Sequence, residues 1–199
     1  MKHPVDLKLI TDAAFWWSSR GFRETAVPAM VCKEVMDHTS PPGAIDLRLE
    51  GFDRDCVVAS AEQSFLQLEL DGELSYGDWM ALTPCYRYET NHDEIHLPVF
   101  LKLELFSLPE GPDEKEMQTA ALRLATKFQD MLFDIRGIPT EIKETTEGWD
   151  AYYRGIELGS FGVRRTLRNQ LYLYGTGIAE PRASFVIQKH SEGEIANFA

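Results

Sequence analysis

The stretch "LTPCYRYETNHDEIHLPVFLKLELF", residues 82–106, decides the fold. Its flanks, "WMALTPCYRYE" and "VFLKLELF", read as strands, and the polar "TNHDEIHLP" between them reads as a turn, so the whole predicts a long antiparallel hairpin. Successive strand side chains point to opposite faces, which puts Arg87 and Glu89 on one face and groups Phe100, Lys102 and Glu104 on the return strand. One face then holds a guanidinium, an ammonium, carboxylates and an aromatic ring. Cross-strand ion pairs on a solvated sheet explain that set as well as a ligand site does. The rest of the chain has to decide between them.

Working outward, residues 112–136 give the clearest helix. Pro112, Asp113 and Glu114 start it, Met117, Ala121, Leu124, Phe128, Met131 and Ile135 line one face, and Gly137 stops it. Residues 5–20 predict a second helix with Leu7, Ile10, Ala14 and Trp17 on its apolar face and Gly21 as the stop. "GFRETAVP" reads as an edge strand ending at Pro28, and "HTSPPGAID" as a loop. "DCVVASAEQ" reads as a short buried strand running into a loop, and "SFLQLEL" as the start of a helix ending near Asp71-Gly72. "IPTEIKET", "AYYRGIELGSFG" and "NQLYLYGTG" are strand candidates, and the segment around "PRASFVIQKH" can be helical. Strands outnumber helices, and the hairpin-length links predict an α+β fold, an antiparallel sheet flanked by helices.

A chain of 199 residues that is 44% hydrophobic can bury one sizeable core, so a single domain over residues 1–199 is expected. No run reaches membrane-spanning length and the N-terminus lacks a signal-peptide core, which reads as a soluble, cytoplasmic protein with no membrane partner. Cys32, Cys56 and Cys85 form no CxxC pair and read as small buried hydrophobes; their spacing gives no support to a zinc site. The formal net charge of -12 disfavours unaided binding to nucleic acid, which requires a basic face.

"TPCYRYE" followed by "FLKLELF" resembles the second signature motif of class II aminoacyl-tRNA synthetases, most closely the seryl branch, and "RYET" is similar to the prolyl and threonyl enzymes. The resemblance implies that Arg87 holds the α-phosphate of ATP, that Glu89 lies near the adenine end and that Phe100 stacks on the base. "RGFRETAVP" is similar to the first motif, implying a homodimer through the Gly21–Pro28 region. "ASAEQ" is similar to the Thr-x-Glu loop, with Ser60 at the threonine and Glu62 at the glutamate that binds the substrate's amino group. "YGTGIAEPRAS" resembles the third motif, which makes Arg182 the arginine that packs on ATP. "IELGSFGVRR" is similar to the strand that supplies magnesium ligands, here Glu157 and Ser160, and an oxygen-only pair beside phosphates suits that ion.

These motifs run in family order from about residue 5 to residue 190. They imply ATP-dependent formation of an aminoacyl-adenylate with magnesium assisting; Lys102 and Glu104, on the same strand face nearer the substrate end, are candidates for positioning the amino acid. Two departures stand out: the turn lacks the seryl branch's second arginine, leaving His92 or His96 to meet the outer phosphates, and Pro181 precedes Arg182. Without an appended tRNA-binding module, the resemblance points to a non-tRNA acceptor such as a carrier protein or small molecule. A shortened synthetase acting on tRNA and a non-catalytic paralogue are the alternatives. The branch implies a small amino acid such as serine, threonine, proline, alanine or glycine, although Arg164 and Lys102 suit an acidic one.

Overall fold

The computed structural model describes residues 5–88 and 93–193. Its centre is a seven-stranded sheet in the order β1-β4-β5-β9-β8-β7-β6. The predicted hairpin supplies β4 (Gly77–Tyr86) and β5 (Val99–Leu108), paired antiparallel along their whole length. Strands β6 (Glu141–Glu144), β7 (Gly148–Tyr153), β8 (Ile156–Arg165) and β9 (Leu171–Glu180) form a meander that returns to lay β9 beside β5. The edge strand β1 (Arg23–Glu24) pairs parallel with β4, so the sheet is mixed and not wholly antiparallel.

Alternation on β5 gives the sheet two different faces. Leu101, Leu103 and Leu105 turn toward a core shared with α1 (Leu7–Ser18) and α4 (Glu114–Arg136). Lys102 and Glu104 turn the other way, toward the candidate site, and Phe106 on that face stacks on Phe65 of α3 (Ala61–Asp71). The α4 stripe falls where its periodicity placed it, with Asp113 capping the first turn and the left-handed Gly137 ending it. α4 lies close against the sheet: a Cβ on Gly175 would stand 2.8 Å from both Leu124 and Phe161.

Several local expectations change. Leu7 is 64% exposed, and the buried stripe of α1 is Leu9, Ile10, Ala13, Trp16 and Trp17. Asp6 caps the helix, which leaves Leu7 in the outermost turn, while the two tryptophans bury together at 4.9 Å edge to face. A short helix, α2 (Lys33–Thr39), stands where none was expected; Cys32 at its N-cap makes no side-chain cap bond, so the usual start signal is missing. α2 leads into the expected loop, and α3 packs on it and on the small β2 (Met30–Val31) and β3 (Cys56–Val57) pair. "ASAEQ" is the start of α3 and not a loop, since Ser60 and Gln63 form a capping box.

"AYYRGIELGSFG" contains two strands. Arg154 and Gly155 have φ of 48° and 84°, the left-handed pair that a two-residue hairpin turn requires. The last helix is α5 (Arg182–Ser191). Among the described residues no helix is long and apolar enough to cross a membrane. Phe161 is fully buried and packs on Phe128 at 5.4 Å. Phe161→Ala is expected to cost ~3–5 kcal/mol, read as a lower urea midpoint with an unchanged slope.

Candidate functional site

The site lies on the α3 side of the sheet, where α3 covers one end and leaves the ends of β4, β5, β8 and β9 open. Arg87 follows β4 directly, and its backbone N–H donates to Pro98 O at 2.9 Å, extending the hairpin by one step. It therefore keeps the facing of Phe100 and Lys102. Its guanidinium stands 5.0 Å from the Phe100 ring centre, and Nε donates to Ala59 O at 3.4 Å. Among the described residues no carboxylate lies within 4.0 Å of it.

Two hollows meet at Arg87, Lys102 and Ser160. The first, of about 120 Å³, is lined by Phe100, His96, Glu157, Thr176 and Arg182 among others. The second, of about 440 Å³, is lined by Ser60, Glu62, Glu104, Arg164 and Tyr174 and runs out toward residues 39–47. Glu89 and His92 lie outside the described residues; every other sequence-predicted site residue borders one hollow or both.

Simple alternation would put Glu157 and Ser160, three apart on β8, on opposite faces. A register shift resolves this: Ala151 pairs with Gly159 and Tyr152 with Glu157, so Leu158 is the extra residue of a bulge. β9 does the same at Gly177, because Leu103 pairs with Ile178 and Glu104 with Thr176. Thr176 and Ala179 consequently both reach the first hollow. The Ser160 backbone N–H donates to Thr176 Oγ1 at 3.2 Å, which ties the two bulged strands together. Thr176 sits between two glycines of the third motif, and alternation from Tyr172 and Tyr174 is the signal that points to it.

Arg182 opens α5 and bridges two segments: Nη1 donates to Glu157 O at 3.2 Å and Nη2 to Ile95 O at 3.5 Å. His96 is held by Asp93, whose carboxylate accepts from His96 Nδ1 and from the N–H groups of Ile95 and His96. Those bonds, the His96 ring first, hold the Asp93 carboxyl down at about 2. Glu157 and Ser160, a carboxylate and a hydroxyl on the first hollow, are oxygen donors that fit magnesium, an ion that takes few protein ligands beside substrate phosphates. Glu180 on the same hollow, by contrast, already accepts the Asp6 and Ser184 N–H groups. Among the described residues no group of three or more histidines, cysteines or carboxylates is gathered for a metal, and all three cysteines are free thiols. Burial, with the Glu104 charge second, pushes the Cys85 thiol up to about 11.

Glu62 is already engaged. Arg164 Nη1 stands 3.0 Å from both its oxygens, and Tyr172 O–H donates to Oε1 at 2.8 Å. The Ser60 hydroxyl accepts the Glu62 N–H as a helix cap. Arg164 also pairs with Glu147 and lies 4.3 Å from the Tyr174 ring centre. Burial works against its charge, and Glu62 with Tyr174 and Glu147 outweighs that, so the guanidinium is held more firmly protonated than usual. Burial also lifts the Tyr174 phenol, to about 12. Glu104 differs from Glu62: Oε1 accepts from Lys102 Nζ at 2.8 Å, while Oε2 is buried without a partner among the described residues.

No profile of a known protein family matches the chain, and no curated protein matches it in sequence. Among solved structures it is similar to a pyrrolysyl-tRNA synthetase from Desulfitobacterium hafniense, with a TM-score of 0.68 at 18% identity over 94% of this chain and 67% of that one. A second structure of the pyrrolysyl enzyme from that organism gives 0.66 at 18%, covering 94% and 69%. Seryl-tRNA synthetase from Pyrococcus horikoshii, complexed with ATP, gives 0.69 at 17%, covering 92% of this chain and 49% of that one. The chain thus has the fold of class II aminoacyl-tRNA synthetase catalytic domains, and spans about half to two thirds of these relatives' lengths.

Arg164→Ala strands the Glu62 carboxylate beneath α3. Because the Arg164 side chain keeps 32% exposure, the expected loss is about 3 kcal/mol, the lower end for an uncompensated buried charge. Urea denaturation of Arg164→Ala, Glu62→Gln and the double variant checks it, with the double expected to recover part of the loss.

Proposed function

We propose that the chain is an adenylate-forming ligase that activates the carboxylate of an amino acid with ATP. The observation that carries this reading is Arg87, a guanidinium between two hollows, resting on an aromatic ring and without a carboxylate partner among the described residues. A planar guanidinium grips two phosphate oxygens at once and stays charged at every relevant pH. Phe100 and Arg182 flank the first hollow as platforms for the adenine, and His96, fixed by Asp93, faces the outer phosphates.

Arg87 then holds the α-phosphate at the mouth of the second hollow, where an amino-acid carboxylate can approach in line with the departing pyrophosphate. Two anions must meet, so the gain comes from placing positive charge before reaction begins. Glu104 Oε2, buried beside Lys102 and unpartnered among the described residues, is an acceptor for the substrate's ammonium group, a role Glu62 can take only by sharing its carboxylate with Arg164 and Tyr172. Glu157 and Ser160 would hold a magnesium ion, which would supply positive charge against the leaving pyrophosphate. For the second half-reaction we propose a carrier protein or small molecule as acceptor in preference to tRNA, in keeping with a net charge of -12. Dimerisation is proposed through the Gly21–Pro28 region, whose β1 forms the open edge of the sheet.

A second reading, a non-catalytic paralogue that binds nucleotide, draws on the saturation of Glu62. Amino-acid-dependent ATP–pyrophosphate exchange separates the two. Arg87→Ala is expected to lower exchange at least a hundredfold, the effect of removing one preorganised donor worth ~2.7–4 kcal/mol. The thermal midpoint should stay unchanged, since among the described residues that guanidinium makes one long hydrogen bond and one ring contact. Near-normal exchange in the variant would overturn the assignment, whereas wild-type ATP binding without exchange for any amino acid supports the second reading.

A further inference from the structure

We infer that the second hollow takes an amino acid with a long, predominantly apolar side chain, larger than the serine, alanine, glycine, threonine or proline that the sequence resemblance implies. This deepens the activation reading above and rests on it. The hollow's volume of about 440 Å³ lies within the range of sites that enclose whole small-molecule ligands. Its polar groups sit together at the root: Lys102 pairs with Glu104, Arg164 with Glu62, and Arg87 stands at the mouth shared with the first hollow.

Beyond that root the lining changes character. Pro41, Ala44, Ile45, Leu47 and Val57 line it as a wall, with Thr39 and Ser40 among them and the buried Met36 beneath, and Ile45 is left 60% exposed. An apolar wall kept open to water beside a polar anchor is the arrangement of a side-chain subsite. With the carboxylate at Arg87 and the ammonium on Glu104 Oε2, a methyl or hydroxymethyl side chain ends at the root and leaves this wall wet. A stem of several methylenes reaches and covers it. Apart from Arg87, the charges at the root satisfy one another in pairs, and among the described residues Asp46 is the one carboxylate of the hollow beyond that root, where Ser40 Oγ donates to it at 3.4 Å. Apolar contact along the stem, not a charged tip, is therefore the main source of discrimination.

A homologous series is the ruler for this inference. Exchange is measured with L-alanine, L-2-aminobutyrate, L-norvaline, L-norleucine and L-2-aminooctanoate, alongside L-serine, L-lysine and L-glutamate. Burial of each added methylene is expected to raise kcat/KM about fourfold, the equivalent of ~0.8 kcal/mol, until the wall is covered. Norleucine and 2-aminooctanoate should then exceed alanine and serine at least tenfold and exceed lysine and glutamate as well. Ala44→Trp, which fills the outer part of the hollow from an exposed loop, should remove at least tenfold of the 2-aminooctanoate advantage while ATP affinity changes less than twofold. A flat series, or one led by alanine, serine, lysine or glutamate, overturns the inference. If ATP binds but no acid supports exchange, the activation reading fails by itself; the same series in thermal-shift assays with ATP present then reads the hollow. A midpoint that rises with chain length supports the subsite, and no rise overturns it.

Discussion

One buried carboxylate, Glu62, fastens α3 to the open face of the sheet, and the shape of the site depends on it. Its oxygens take Arg164 from β8 and Tyr172 from β9, so a single side chain joins three elements far apart in sequence. Tyr172 continues the attachment as the third ring in a stack with Phe106 and Phe65, at 4.7 and 4.9 Å. The ion pair alone is weak evidence for stability, because taking both charges out of water costs about what their attraction returns. What it specifies is position: α3 can bury its aromatic ring on the sheet only where its first turn meets the guanidinium. That contact fixes how much of the sheet face stays uncovered.

The uncovered part is shaped by two irregularities. Regular strands would turn Glu157 away from Ser160 and Ala179 away from Thr176. The bulges at Leu158 and Gly177 re-aim the later residues on neighbouring strands, and Ser160 N–H to Thr176 Oγ1 joins them. The core face absorbs the same shifts, with Leu158 and Ile178 both buried in the α1–α4 cluster. Trp17 Nε1 donates to the Gly177 carbonyl at 3.2 Å and so satisfies a backbone group that the bulge displaces. The helix behind the sheet thus supports the geometry in front of it.

How much of this was legible in the sequence follows from the range of each interaction. The β4–β5 hairpin and α4 could be read because alternation, periodicity and caps are local signals, and the facing of Phe100, Lys102 and Glu104 came with them. The capping box at Ser60 and Gln63 and the turn at Arg154-Gly155 were equally local, and reading them would have corrected the start of α3 and divided β7 from β8. The pairing of Glu62 with Arg164, 102 residues away, has no local signature, so nothing in the sequence signalled that this carboxylate, which borders the second hollow, also binds a guanidinium of the chain. Bulges likewise arise from how neighbouring strands register. Only the resemblance, not the spacing, could put Glu157 and Ser160 together.

The electrostatics of the site lead further. Lys102 is matched by Glu104, Arg164 by Glu62 and Glu147, and Arg182 stands 4.0 Å from Glu157. The charges near Arg87 therefore largely cancel, within a chain whose net charge is -12. At physiological salt, interactions fade over about 8 Å, so an approaching phosphate meets no broad positive field. On the activation reading proposed above, recognition instead comes from contact: a forked guanidinium on two oxygens, and rings or planar groups against a base. Such contacts reward a compact anion that fits the first hollow and give little to a long polyanion lying across the surface. Beside them runs a groove that includes Glu144, Glu147 and Glu157. On that same reading, an acceptor entering there runs past those carboxylates as well as Arg87 and Arg164, and that mixed lining suits a neutral or cationic nucleophile better than the phosphate backbone of a nucleic acid.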